Sequence, residues 1–255
     1  MVLIPESGRR GVFAPDGIVA APAAITKFLV DAVSQPRALT AADLQSSASR
    51  SEPLGGRAKR VFDIAVSAAL LVVLAPLMLL AAAALKLNLG TVISRQQRAG
   101  FGGRSFACYT FNTMPSNADD LLRQHFVVNP AAAREWMATG KLRDDPRVGC
   151  LGNVLGKTGL DALPLLINVL KGDMSLVGPQ PATQDDVASY GRHAAVYRDA
   201  RPGMISLWQV AGRSGSSTRA RAAGDHLYAR TWSLGLDVAV LLRAVTSPQS
   251  GKPAA

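Results

Sequence analysis

Between residues 141 and 181 the chain reads KLRDDPRVGCLGNVLGKTGLDALPLLINVLKGDMSLVGPQP. Asp144, Asp145, Asp161 and Asp173 lie there among Lys141, Arg143, Arg147, Lys157 and Lys171. Mixed charge of this density between apolar runs suits an anionic substrate: cations hold phosphate, and a carboxylate attacks or ligates a metal ion. Gly178-Pro-Gln-Pro181 is a stiff loop that can aim backbone amides or side chains. Each of these groups also has a plain structural role open to it. Asp161 opens a short apolar helix and reads well as its N-cap, and Asp144-Asp145-Pro146 reads as a turn. A second basic group is Arg201-Pro-Gly203 with Trp208 and Arg213. Arg201 and Arg213 could grip a diphosphate bidentately, and Trp208 could stack on a base or dip into an interface. The same arginines read equally well as structural groups near a membrane surface. His125, His193 and His226 are scattered, and Cys108 and Cys150 form no metal-type pair, so no Cys/His zinc cluster is expected. Two lone cysteines suit a reducing compartment.

These residues need a scaffold. The 255 residues are 48% apolar, and the mean hydropathy is +0.16. That allows a sizeable core and excludes global disorder, collagen-like and disulfide-scaffold classes. The net charge is +10, and it is unevenly spread. Residues 61–85 (VFDIAVSAALLVVLAPLMLLAAAAL) carry no Lys or Arg and only Asp63, while Arg57, Lys59 and Arg60 precede them and Lys86, Arg95 and Arg98 follow. A long apolar block between basic flanks points to a membrane before it points to nucleic acid. A helix over the charge-free stretch would reach roughly 33 Å, enough to cross a hydrocarbon core. Pro76 interrupts it and predicts a kink or break at Ala75–Pro76. Three readings stay open on pattern alone: a re-entrant helix that returns to its own side, a spanning helix, and a soluble core helix. The symmetric basic flanks favour the first.

Residues 1–55, rich in Pro and Ser, read as a variable, flexible N-terminal segment with one transient helix near 18–34. Residues 91–97 and 104–111 read as a β-hairpin turned by Gly102–Gly103. Helices are expected over 116–139, broken at Asn129-Pro130, and over 161–171, stopped by Gly172. Further helices are expected over 182–200, 218–230 and 232–246, the last pair resting on a bilayer, and 247–255 reads as a disordered tail. The fold class expected from these elements is α+β and membrane-associated: a Pro-kinked membrane helix, a small β-hairpin and a compact, mainly helical domain.

Read in order, KRVFDIAVSAALLVVLAPLMLL, RQQRAGFGGRSFACYTFNTM, KLRDDPRV, GLDALPLLINVLKGDMSLVGPQP, RPGMISLWQVAGRS and YARTWSLGLDVAVLL resemble the bacterial sugar transferases. These are the monotopic phosphoglycosyl transferases, and the likeness is to their exopolysaccharide-initiating branch. It covers roughly 57–246, with 61–86 as the membrane helix. The resemblance implies a re-entrant, proline-broken helix on the cytoplasmic face of the bacterial inner membrane. It implies transfer of a sugar 1-phosphate from a UDP-sugar to polyprenyl phosphate, with release of UMP. In that chemistry an aspartate attacks the β-phosphate, and the lipid phosphate then displaces the phosphosugar from it. An adjacent glutamate holds magnesium.

On this pattern Asp161 falls on the nucleophile, and Lys157, Gln180, Arg201 and Arg213 fall on phosphate-binding positions. The metal-binding glutamate is replaced by Ala162. The family's KFR-like triplet is Thr110-Phe111-Asn112, an arginine is replaced by Gly156, a serine by Gly159, and the arginine of the GPRP-like loop by Gln180. An alanine cannot ligate magnesium, which demands oxygen ligands. The expectation is an intact scaffold around a depleted site. Two functions follow from it: an active transferase in exopolysaccharide biosynthesis, in which Asp173 or Asp144 replaces the missing ligand, or a non-catalytic relative that modulates an active paralogue or pairs as a homo-oligomer. Nucleic-acid binding is a third class, motivated by the charge and disfavoured by the apolar block and an aromatic content of 5%.

Overall fold

The computed structural model describes residues 52–115, 117–139, 142, 145–210 and 218–246. The leader helix, the C-terminal tail, Lys141, Arg143, Asp144 and Arg213 lie outside the described residues, as does the side chain of Trp208. The apolar block forms one helix, α1 (Gly56–Leu89), opened by Gly55 and closed by Gly90. Gly55 has a φ of 83°, and a Cβ there would press on Lys59 and on the Trp232 ring, so only glycine fits. The helix runs unbroken through Pro76, so of the kink or break expected at Ala75–Pro76 the break is absent. A helix can carry one proline when its own apolar packing outweighs a single lost hydrogen bond.

The two ends of α1 are fastened to the same domain. Near the start, Lys59 is buried and ion-paired to Asp237. Near the finish, Leu85 is fully buried in a cluster with Ala81, Phe111, Leu155 and Leu163. Between them the helix is bare: Val72, Val73, Leu79 and Leu80 are each about 70% exposed. It is long and apolar enough to cross a membrane.

After α1 come β1 (Ile93–Ala99) and β2 (Ser105–Phe111), antiparallel, with Arg95 opposite Tyr109 and Ile93 opposite Phe111. The turn passes through Gly102 and Gly103, both at positive φ, as expected. Then follow α2 (Ala118–Val128) and α3 (Pro130–Thr139), separated at Asn129 as expected. Next are α4 (Cys150–Thr158), α5 (Leu165–Lys171), β3 (Ser175–Val177), α6 (Gln184–Ser189), α7 (Ala194–Arg198) and β4 (Gly203–Ile205). The chain closes with α8 (Leu207–Val210), α9 (Thr218–Thr231) and α10 (Leu234–Thr246). The helix expected over 182–200 is two short pieces, because the chain turns at Gly191, whose φ is 56°. The helix expected from Asp161 starts four residues later, and Asp161 sits in a separate tight turn, Leu160–Ala162. An N-cap at 161 would need an N–H two or three residues on, and position 164 is a proline without one.

A second small sheet was not expected. β3 and β4 pair in parallel, Ser175 with Gly203 and Val177 with Ile205. Gly178 and Gly203 lie so close here that a Cβ on either would strike the other's backbone. The glycines of the GPQP and RPG segments are thus demanded by the crossing of two chains. Around this pair α5, α9 and α10 close the main core, in which Leu166, Val169, Met174, Val177 and Val240 are fully buried. Each such side chain contributes about 1.5–3 kcal/mol on burial.

Candidate functional site

Asp161 lies in the turn joining α4 to α5, half-buried. Its neighbours Leu160 and Leu163 pack into the cluster that holds Ala81 and Leu85 of α1, so the carboxylate stands beside the place where the long helix rejoins the domain. Burial pushes its pKa above the ordinary value, while the N–H groups of Ala162 and of Asp161 itself pull the other way. The methyl of Ala162 packs partly buried against the main core.

Lys157 is exposed on the last turn of α4. The Gln180 N–H donates to Asp225 Oδ1 on α9 at 3.3 Å. Asp225 is almost completely buried and its pKa is pushed up to about 7 by that burial, against the pull of the Gln180 N–H and Arg221. Arg201 is half-buried and donates from Nε to the Gly172 carbonyl at 2.9 Å. Burial and the nearby Arg60 weaken its hold on its proton, and Asp63 strengthens it. Among the described residues no hydrogen bond or ion pair joins Asp161, Lys157, Gln180 and Arg201 to one another. Asp145 behaves as the turn residue expected: its carbonyl accepts the Val148 N–H, and its carboxylate takes the Arg147 guanidinium at 2.6 Å.

Asp173, one candidate replacement for the missing metal ligand, lies 3.4 Å from Asn168 Nδ2. Among the described residues no three His, Cys, Asp or Glu converge to hold a metal ion. Ala162 offers no oxygen ligand, so within this turn a magnesium ion would have only the Asp161 carboxylate to bind.

Several polar residues that organise this region were not singled out from the sequence. Lys59, Asp63 and Ser67 recur every four residues on α1 and are all buried. Lys59, one of the basic residues flanking the apolar block, lies inside the domain. Asp237 holds Lys59 Nζ at 2.6 Å and also accepts from the Tyr228 hydroxyl at 2.7 Å and the Trp232 indole at 3.1 Å. Asp63 Oδ1 accepts the Leu176 N–H at the head of β3. Arg60 donates to the carbonyls of Val169 and Leu170, where the α5 dipole is negative. Asn168 donates to the Ala107 carbonyl at 2.7 Å and accepts the Tyr109 N–H at 3.0 Å, covering the free edge of β2. The spacing of Lys59, Asp63 and Ser67 was the available signal, since three polar residues on one face of an apolar helix need an interior to meet.

Residues 55–249 match the bacterial sugar transferase family. The chain belongs to it. The bacterial sugar transferases similar to it include the exopolysaccharide production protein ExoY of Rhizobium meliloti (strain 1021), 41% identical over 194 residues, 76% of this chain and 86% of the relative. The UDP-glucose:undecaprenyl-phosphate glucose-1-phosphate transferase of Caulobacter vibrioides is 41% identical over 199 residues, 74% of this chain and 68% of the relative. The undecaprenyl-phosphate galactose phosphotransferase of Salmonella typhimurium is 40% identical over 185 residues, 72% of this chain but 39% of that longer protein. The matched region of the family contains every sequence-predicted site residue, from Lys157 to Arg213.

Proposed function

We propose that this sugar transferase moves a sugar 1-phosphate from a UDP-sugar to polyprenyl phosphate in exopolysaccharide biosynthesis, on the cytoplasmic face of the inner membrane. The observation that carries this reading is the place of Asp161, at the turn flanked by Leu160 and Leu163 where α1 returns to the domain. A carboxylate at that height meets both a water-borne nucleotide and a lipid-borne phosphate. In the first step an Asp161 carboxylate oxygen forms a bond to the sugar-bearing β-phosphorus, and the bond from that phosphorus to the bridging oxygen breaks, releasing UMP. In the second step an oxygen of the lipid phosphate attacks the same phosphorus and frees Asp161. Lys157 and Arg201 supply positive charge to the phosphates, with Arg213 completing that set. No metal ion is assigned a step.

The fastening of Lys59 and Leu85 to one domain supports a re-entrant α1 over a spanning one. A spanning helix would put those two residues at opposite faces of the bilayer, where one domain lying on one side could not hold both.

A second reading is a non-catalytic relative that supports an active paralogue. It is favoured by the methyl at 162, which stands beside Asp161 where the family pattern has a carboxylate. One experiment separates the two. The protein in nanodiscs is supplied with UDP-glucose or UDP-galactose and polyprenyl phosphate, with and without magnesium, and UMP release is measured for the parent and for Asp161→Asn. Transfer requires UMP from the parent and none from the variant. Equal signals from both, or none from either sugar nucleotide, refute it.

A further inference from the structure

We propose that Lys171 and Arg95, gathered on Tyr109 at the C-terminal end of α5, form a phosphate-recognition site outside the residues assigned to sugar-phosphate transfer. Four cations gather around this end of α5. Two are already assigned: Arg60 donates to the Val169 and Leu170 carbonyls, and Arg201, which donates from Nε to the Gly172 carbonyl, belongs to the proposed transfer site. The other two remain on the surface, and Tyr109 holds both. Lys171 Nζ lies 3.1 Å from the Tyr109 hydroxyl and 5.0 Å from its ring centre. Arg95, directly across the hairpin from Tyr109, has its guanidinium carbon 5.8 Å from the same centre.

Both cations are exposed, and among the described residues neither forms an ion pair. The one neighbouring carboxylate, Asp173, acts on Lys171 only at a distance, and Asn168 Nδ2 is directed at it. Two like charges drawn to one ring repel each other and leave a local surplus of positive charge. A phosphate group has the charge and the acceptor oxygens to take both, the guanidinium through two N–H groups and the ammonium as a point charge.

The place narrows the source. Lys171 follows Leu170, whose carbonyl takes Arg60, and Arg60 directly precedes Val61, the first strongly exposed apolar residue of α1. Ile93, on the same face of the hairpin as Arg95, is exposed as well. The two cations thus stand close to the start of the exposed apolar face of α1, where a headgroup would lie if that face enters lipid. The ligand chemistry is a phosphate anion, carried either by an acidic lipid or by a free phosphate.

The test follows acylation of Lys171 by mass spectrometry in the full chain, at low reagent, and needs no turnover. Nanodiscs of phosphatidylcholine are the reference. One arm adds phosphatidylglycerol to the disc, and a second adds inorganic phosphate to the neutral disc. Occupation should slow Lys171 acylation by about fivefold in at least one arm, and Arg95→Gln should remove the slowing. Slowing only in the first arm assigns a lipid headgroup, and slowing in the second assigns free phosphate. No slowing in either arm, or slowing that persists in Arg95→Gln, overturns the proposal.

Discussion

Lys59 Nζ lies 2.6 Å from Asp237 Oδ2, with both side chains almost wholly out of water. The pair joins the first turns of α1 to α10, 178 positions apart in sequence. Removing one partner leaves the other charged and buried, which typically costs about 3–5 kcal/mol. Lys59→Met should destabilise the fold by that amount in a denaturant melt of the detergent-solubilised protein. The double variant Lys59→Met/Asp237→Leu should recover much of the loss, because no lone charge is left behind. If the double variant is as unstable as the single, the lone charge is not the cause.

Ala162 sets the second prediction. Ala162→Glu places a second carboxylate next to Asp161 and creates a magnesium ligand where there is now a methyl. Restoring one preorganised electrostatic partner is worth about 10²–10³ in rate. UMP release from a UDP-sugar should therefore rise by about that factor, and only with magnesium present. A gain that is the same in a chelator would assign the effect to something other than the metal.

Asp225 makes stability depend on pH. Its folded pKa of about 7 stands above the ordinary value of 3.8. The folded chain therefore keeps this proton over a range in which the unfolded chain has lost it. Stability from this group is fully present below about pH 4, falls as pH rises towards 7 and is flat above it. Asp225→Asn keeps an acceptor for the Gln180 N–H and removes the charge. Its advantage over the parent should grow from nothing near pH 4 to a ceiling of about 4 kcal/mol at pH 8. Melting curves between pH 4.5 and 8 measure it, and parallel curves for the two proteins would refute it.

Topology can be read from labelling. In a Cys150→Ser background, Arg57→Cys and Asn88→Cys place one exposed thiol at each end of α1. An impermeant maleimide should reach both from the same side of sealed vesicles. Labelling from opposite sides would mean that the helix spans.

The sequence made α1, the hairpin and the break at Asn129 legible because each is local. A charge-free run, a Gly-Gly turn and an Asn-Pro step act within a few residues. β3 and β4 were not legible, since three-residue strands carry no period and their pairing depends on Gly178 meeting Gly203 across the chain. Motif order is what points to Asp161 as the candidate nucleophile, and its N-cap reading fails because the Leu163 N–H goes to the Leu160 carbonyl and Pro164 has none to give. Lys59 and Asp63 were taken for flank and exception, although their four-residue spacing already put them on one face. Arg201 was placed among phosphate ligands, and part of its donor set turns out to serve the Gly172 carbonyl. Backbone acceptors of that kind leave no trace in side-chain identity.

Fastening Lys59 and Leu85 to one globule means that α1 can be seated without any ionised stretch being hauled through oil. The hairpin and everything after it can fold in water while the bare middle of the helix sinks like a peg. In the proposed re-entrant topology such a peg would displace acyl chains on one side alone, so a sheet of these molecules would widen the leaflet they occupy and leave the opposite one untouched.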